Sequence, residues 1–190
     1  MSTAGIVRSL NVSKRKGTRK TPIVDGIAHV IAHKGLAEDA HAGDWHRQVS
    51  LLAWESIGKA QAMGLDVKEG DFAENVATEG IDLLKLPLGT RLRIGDVLLE
   101  LSQIGKVCHT KCAIWHLAGD CIFPREGVFA VALESGEIRI GDPISIEKMG
   151  EGTCEHTPPE ALAELAARNA EEARACSIVA NTMQAFEEDR

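Results

Sequence analysis

Between residues 5 and 148 the apolar positions come in short runs punctuated by Gly and Asp, a rhythm that predicts strands. The runs are Gly5–Val12, Ile23–Ala32, Arg91–Ile94, Val97–Ile104, Val128–Leu133 and Glu137–Lys148. Each is rich in Val, Ile and Leu, and several alternate apolar with polar residues, as a half-buried strand does. The tetrapeptide Arg-Ile-Gly-Asp recurs at Arg93–Asp96 and Arg139–Asp142, each time between two such runs. A tight turn whose Gly takes a positive φ accounts for that placement. The repetition predicts a mainly β domain over residues 1–150, curled into a barrel or a strongly curved sheet.

Two stretches carry helical spacing instead. Leu51, Leu52, Trp54, Ile57, Ala60 and Met63 follow Ser50, a candidate cap, and precede Gly64, a candidate stop. Thr157 stands before Pro158-Pro159 with Glu160 at the third helical position, a capping-box opening. It predicts a helix over residues 158–187, with Leu162, Leu165, Cys176, Val179, Met183 and Phe186 on one broad face. Residues 151–190 therefore read as a helical C-terminal extension, acidic with nine Asp/Glu against three Arg. Its apolar face packs on its own barrel or on a second copy in a homodimer, and the pattern leaves both open.

Composition narrows the classes. The 190 residues, 44% hydrophobic, suffice for one well-filled core. A net charge of −7, four Phe and no Tyr argue against a dedicated nucleic-acid binder. Apolar runs are too short for a membrane span or a signal sequence, so a cytoplasmic, reducing compartment is expected. The charge is uneven: residues 1–20 hold six Lys/Arg and no acid, most of them in the run from Lys14 to Lys20. That run reads as a solvated loop, or more sharply as a phosphate-binding loop in which Gly17 lets the backbone approach an anion.

Five cysteines in a reducing compartment suggest metal or chemistry rather than disulfides. Cys108, Cys112 and Cys121 cluster with His109 and His116 between residues 106 and 127. Structural zinc takes two ligand pairs, and Cys-x3-Cys here lacks a second pair, which makes a zinc-stabilised domain the last of the readings. Haem attachment needs Cys-x-x-Cys-His and is excluded. Cys108 has Lys106 two residues before it and His109 and Lys111 after it, a cationic setting that favours the reactive thiolate. Cys112 and Cys121 keep more apolar company and read as core.

Spaced motifs resemble those of the MOSC family, named for the C-terminal domain of molybdenum cofactor sulfurases. Gly35-Leu36-Ala37-Glu38-Asp39-Ala40-His41-Ala42-Gly43 is similar to its Gly-x-x-Gly-Asp-x-His-x-Gly run, with Glu38 where Gly is common. Asn11-Val12-Ser13, Lys16-Gly17, Lys20-Thr21-Pro22, Arg47-Gln48-Val49-Ser50 and Gly70-Asp71-Phe72-Ala73-Glu74-Asn75 follow the family's order. The strand that ends at Cys108 and the stretch Gly119–Ala130 complete the likeness, which spans roughly residues 5–148.

The resemblance implies a mixed β-barrel like the small β domain of pyruvate kinase, with a few helices. It implies the molybdenum cofactor (molybdopterin), with Cys108 as molybdenum ligand or persulfide carrier. Arg47, Lys20 and Arg125, with Lys16, are the candidates for the cofactor phosphate, and His41 and Asn75 for its pterin or oxo groups. As an enzyme the chain would reduce N-hydroxylated compounds or transfer sulfur. No flavin, haem or iron–sulfur motif is present, so electrons would come from a partner protein and sulfur from a donor protein of cofactor biosynthesis. A non-catalytic accessory module that hands the cofactor on is the rival reading. The segment from His109 to Cys121 is not explained by the general family; Cys112 as a disulfide partner of Cys108 and a secondary metal site both stand.

Overall fold

The strand-like runs do become strands, and pairing closes them into a barrel. In the computed structural model, residues 3–107, 121–171 and 174 are described. The strands are β1 (Thr3–Val12), β2 (Thr21–Pro22), β3 (Ile27–Ile31), β4 (Gly35–Leu36), β5 (Val49–Ala53), β6 (Val76–Glu79), β7 (Arg91–Ile94), β8 (Val97–Ile104), β9 (Val128–Ala132), β10 (Gly136–Arg139) and β11 (Pro143–Lys148). Seven of them run in the order β1-β6-β5-β9-β8-β7-β11, and β11 pairs back onto β1. Closure leaves none of these seven with an open edge. β2 adds to β1, and β10, β3 and β4 make a separate small sheet.

Every barrel pairing is antiparallel except β5 with β6. A parallel pair needs a crossover, and α1 (Trp54–Ala62) lies within the connection. A short 3-10 turn, Leu83–Lys85, and α2 (Phe123–Glu126) complete the elements of the barrel unit among the described residues. Leu52, Ile57, Ala60, Phe72, Phe123 and Phe129 form a cluster that joins α1 and α2 to β5 and β9. Leu51 and Leu52 are both fully buried, and successive strand residues face opposite ways, so β5 is covered on both sides.

That double burial corrects the sequence reading of residues 50–63. Ser50 does not cap a helix; it lies within β5, and its hydroxyl bonds Asn75 Oδ1 at 2.9 Å. The helix starts at Trp54 after Ala53, which makes no side-chain cap. An apolar run buried on both faces has no strand alternation to show, so it merged with the helical pattern beside it. The Gly64 stop holds, at φ +88°.

Two other runs are shorter or broken. Ile23–Gly26 is a turn closed by Gly26 N to Ile23 O at 3.1 Å, and the strand begins only at Ile27. Glu137–Lys148 is two strands in two different sheets. The two Arg-Ile-Gly-Asp copies thus do different jobs: the first turns the β7–β8 hairpin, the second moves the chain from the small sheet to the barrel. Their glycines take φ +54° and +88°.

The chain divides into two compact units, Met1–Pro158 and Pro159–Arg190. In the first, Thr157 turns its hydroxyl to the Ser102 carbonyl, and Cys154 Sγ lies 3.3 Å from Glu100 Oε1. In the second, residues 159–171 are helical. Cys176, Val179, Met183 and Phe186 lie outside the described residues. No helix among the described residues is long and apolar enough to cross a membrane.

Candidate functional site

The site grows from the loop between β4 and β5. Asp39 is the residue around which it is wired. Its Oδ2 accepts from Lys20 Nζ at 2.6 Å and from Ser13 N at 3.1 Å. Its Oδ1 accepts from His41 N at 2.9 Å and faces His41 Nδ1 at 3.3 Å. Both charged side chains are out of water, at 1% and 0% exposure for Lys20 and Asp39. Burial alone would raise the Asp39 carboxyl, but hydrogen bonds from His41 and Lys20 outweigh it and hold the group well below the usual carboxylate range. Burial pulls the Lys20 ammonium down, and Asp39 offsets part of that pull. Lys20 therefore works as the buried counter-charge of the loop.

The departure at Glu38 leaves the loop geometry in place. Glu38 adopts φ +66°, the left-handed conformation that a glycine would take at no steric cost. Its side chain is exposed, so nothing buried compensates. Restoring glycine, Glu38→Gly, is expected to raise stability by about 0.5–1 kcal/mol, relief of left-handed strain less the added chain entropy. Equilibrium urea unfolding reads the change, and a loss of stability would show that the carboxylate itself holds the loop.

The same loop supplies the centre of a ladder of alternating cations and rings. Lys16 Nζ sits 5.7 Å from the centroid of the Trp45 ring, and the Arg47 guanidinium 4.9 Å from the same ring. Arg47 also lies 5.6 Å from the Phe129 ring, which Lys106 approaches at 6.0 Å. Lys106 reaches Phe123 as well, at 5.3 Å. Each such contact contributes about 0.5–1 kcal/mol where partly exposed. Trp45 is fixed by its own Nε1–H, which donates to His41 O at 2.7 Å, and its ring stacks at 17° on the His41 imidazole. Guanidinium and ammonium groups lined along two rings are the donors that suit an anion.

Beneath the loop the Gly-x-x-x-Glu-Asn segment acts on the scaffold. A Cβ on Gly70 would stand 2.4 Å from the Lys20 carbonyl, and Lys20 N donates to Gly70 O at 2.8 Å. Only glycine lets these two motifs meet. Asn75 is buried; its Oδ1 accepts from Ser50 N at 3.1 Å and its Nδ2 donates to Asn11 O at 3.1 Å. Its amide ties β1 to β5. Glu74 is fully buried, with Oε1 taken by the Gly70 N–H and Oε2 without a partner. Burial, the largest influence, drives this carboxyl up to about 7 against its hydrogen bonds and the Lys20 charge.

The structure thus brings His41, Arg47 and Lys16 together around Trp45, with Lys20 buried under them. Asn75 serves the strands, and Arg125 stands exposed on α2 beside Glu126, which pairs with Lys59 at 2.9 Å. Cys108, Cys112, His109 and His116 lie outside the described residues. The chain is placed as far as Val107 by Gly105 N to Gly127 O at 2.7 Å and Lys106 N to Pro124 O at 2.9 Å. Among the described residues no group of three or more His, Cys, Asp or Glu is arranged to hold a metal ion. The sequence reading passed over Trp45 and Phe129. A Trp inside a loop flanked by His41, His46 and Arg47 was the available signal.

The MOSC domain model matches residues 38–145, more than half of the chain. No curated protein matches the sequence. Among solved structures, the YUAD protein from Bacillus subtilis has a TM-score of 0.63 at 18% identity, over 74% of this chain and 93% of that one. YiiM from Escherichia coli has a TM-score of 0.56 at 18% identity, over 86% and 76%. YiiM from Geobacillus stearothermophilus gives 0.55 at 21%, over 80% and 77%. These likenesses share the fold, and with the domain match they place the chain in the MOSC domain family, which is associated with the molybdenum cofactor.

Proposed function

We propose that this site binds a molybdopterin-type cofactor, with the Lys16–Trp45–Arg47–Phe129–Lys106 ladder taking its anionic end and Cys108 its metal. The observation that supports this is the ladder itself: three cations on planar rings, one of them, Lys106, just after the strand that leads to Cys108. The donors present fit the anionic part of such a cofactor, since guanidinium and ammonium groups neutralise phosphate. A soft thiolate at Cys108 suits molybdenum. The bound group would supply redox chemistry at the metal, and the chain would bind, orient and neutralise it. Lys20 and Asn75 act in this reading through the loop and strands they hold. Electrons would come from a partner protein.

A second reading is favoured by Lys106, which stands two residues before Cys108. A nearby ammonium stabilises thiolate and persulfide alike, so Cys108 would carry sulfur delivered by a donor protein. Both readings use the same cysteine, but only the first needs the ladder to hold a pterin. Molybdopterin released from a donor protein and mixed with the full chain is expected to co-elute with it on gel filtration. Arg47→Ala, which removes the cation shared by two rings, is expected to weaken binding at least tenfold, about 1.4 kcal/mol. Equal retention by the variant would remove the ladder from the cofactor site.

A further inference from the structure

Resting on the cofactor reading, we infer that His41 is locked as the Nδ1–H tautomer, so that its Nε2 presents a hydrogen-bond acceptor beside the cation ladder. The site is then two-sided: Lys16, Arg47 and Lys106 receive negative charge, and His41 receives an N–H or S–H of the ligand.

The argument is one of proton accounting at Asp39. Each of its oxygens already accepts from a group that can only donate: Ser13 N and Lys20 Nζ on Oδ2, His41 N on Oδ1. The carboxyl is buried beside a lysine ammonium and has no proton of its own to offer. The contact between Oδ1 and His41 Nδ1 at 3.3 Å is therefore a hydrogen bond only if Nδ1 carries the proton. In the neutral ring the lone pair then belongs to Nε2. A half-turn of the ring would keep its stack on Trp45 but set the Cδ2 carbon in place of Nδ1, so the Asp39 hydrogen bond is what holds this orientation. Lys20 and Asp39 are positioning residues here. They fix the tautomer, and His41 meets the ligand. An oxo group or a phosphate, both acceptors, is the wrong partner for such a nitrogen.

The neighbouring histidine provides an internal contrast. Gln103 Nε2 donates to Gly105 O at 2.8 Å, which leaves Gln103 Oε1 as the acceptor facing His46 Nε2 at 2.8 Å. His46 must then carry its proton on Nε2. One loop holds two histidines in opposite forms.

The test is nitrogen-15 NMR of the full chain, labelled at histidine and free of cofactor, with His41 assigned by its loss in His41→Gln. Long-range proton–nitrogen correlations distinguish the two tautomers. The expected result is Nδ1–H for His41 and Nε2–H for His46. An Nε2–H pattern at wild-type His41, or a ring doubly protonated throughout the neutral range, would overturn the inference. Molybdopterin is then added to the labelled chain. An upfield shift of His41 Nε2 supports the acceptor role, and bound pterin with Nε2 unmoved refutes it. Failure of pterin to bind counts against the cofactor reading, while the tautomer, read without pterin, still judges this inference.

Discussion

Replacing Lys20 with methionine is expected to lower the unfolding free energy by about 3–5 kcal/mol, the cost of leaving one member of a buried ion pair alone. Methionine fills much the same volume, so the loss reports the charge and not a cavity. The stranded Asp39 oxygen would keep only the Ser13 N–H. Because the remedy is to protonate Asp39, the loss should shrink at acid pH. The sign follows from the direction of the shift. The Asp39 carboxyl is held below its ordinary value in the folded state, so its stabilising contribution is present above that value and disappears as pH falls. Lys20→Met combined with Asp39→Asn should recover part of the stability, since neither position then carries a buried charge. Urea unfolding of the single and double variants, at neutral and acid pH, reads all of this. A loss below about 1 kcal/mol at neutral pH would mean that the pair is solvated.

The second large effect runs the other way with pH. Glu74 titrates at about 7 in the fold and near 4.5 when unfolded. A carboxyl raised in this way is best tolerated while protonated, so its contribution is complete below pH 4.5 and is lost as pH rises through 7. The full swing is about 3 kcal/mol, from the difference between the two values. Glu74→Gln keeps an acceptor for the Gly70 N–H and cannot ionise. Its stability should therefore lack this decline, and it should exceed the wild type above neutrality. Subtracting the two stability profiles isolates Glu74 from every group the two proteins share. Parallel profiles would show that the carboxylate finds a partner when it ionises.

How far the sequence carried depends on which residues are considered. β8 was read to the residue because Gly95 and Gly105 bracket a run rich in Val, Leu and Ile. β5 was misread because its neighbours cover both faces, and β6 was missed because Val76, Ala77 and Thr78 are all buried and show no alternation. The Asp39–His41 part of the site was legible as spacing. The role of Lys20 was not, because a lysine in a basic run reads as solvated, and only the fold shows that a carboxylate nineteen residues away buries it. The ladder needed the third dimension for the same reason. Phe129 and Arg47 are brought together by the β5–β9 pairing, which no local pattern encodes.

The measurement that tests the cofactor reading most directly is the molybdenum and pterin content of the full chain made in molybdenum-replete cells, wild type beside Cys108→Ser. Near-stoichiometric molybdenum with pterin in the wild type, and loss of the metal in Cys108→Ser, is the expected result. Wild-type protein that carries neither molybdenum nor pterin would contradict a resident cofactor.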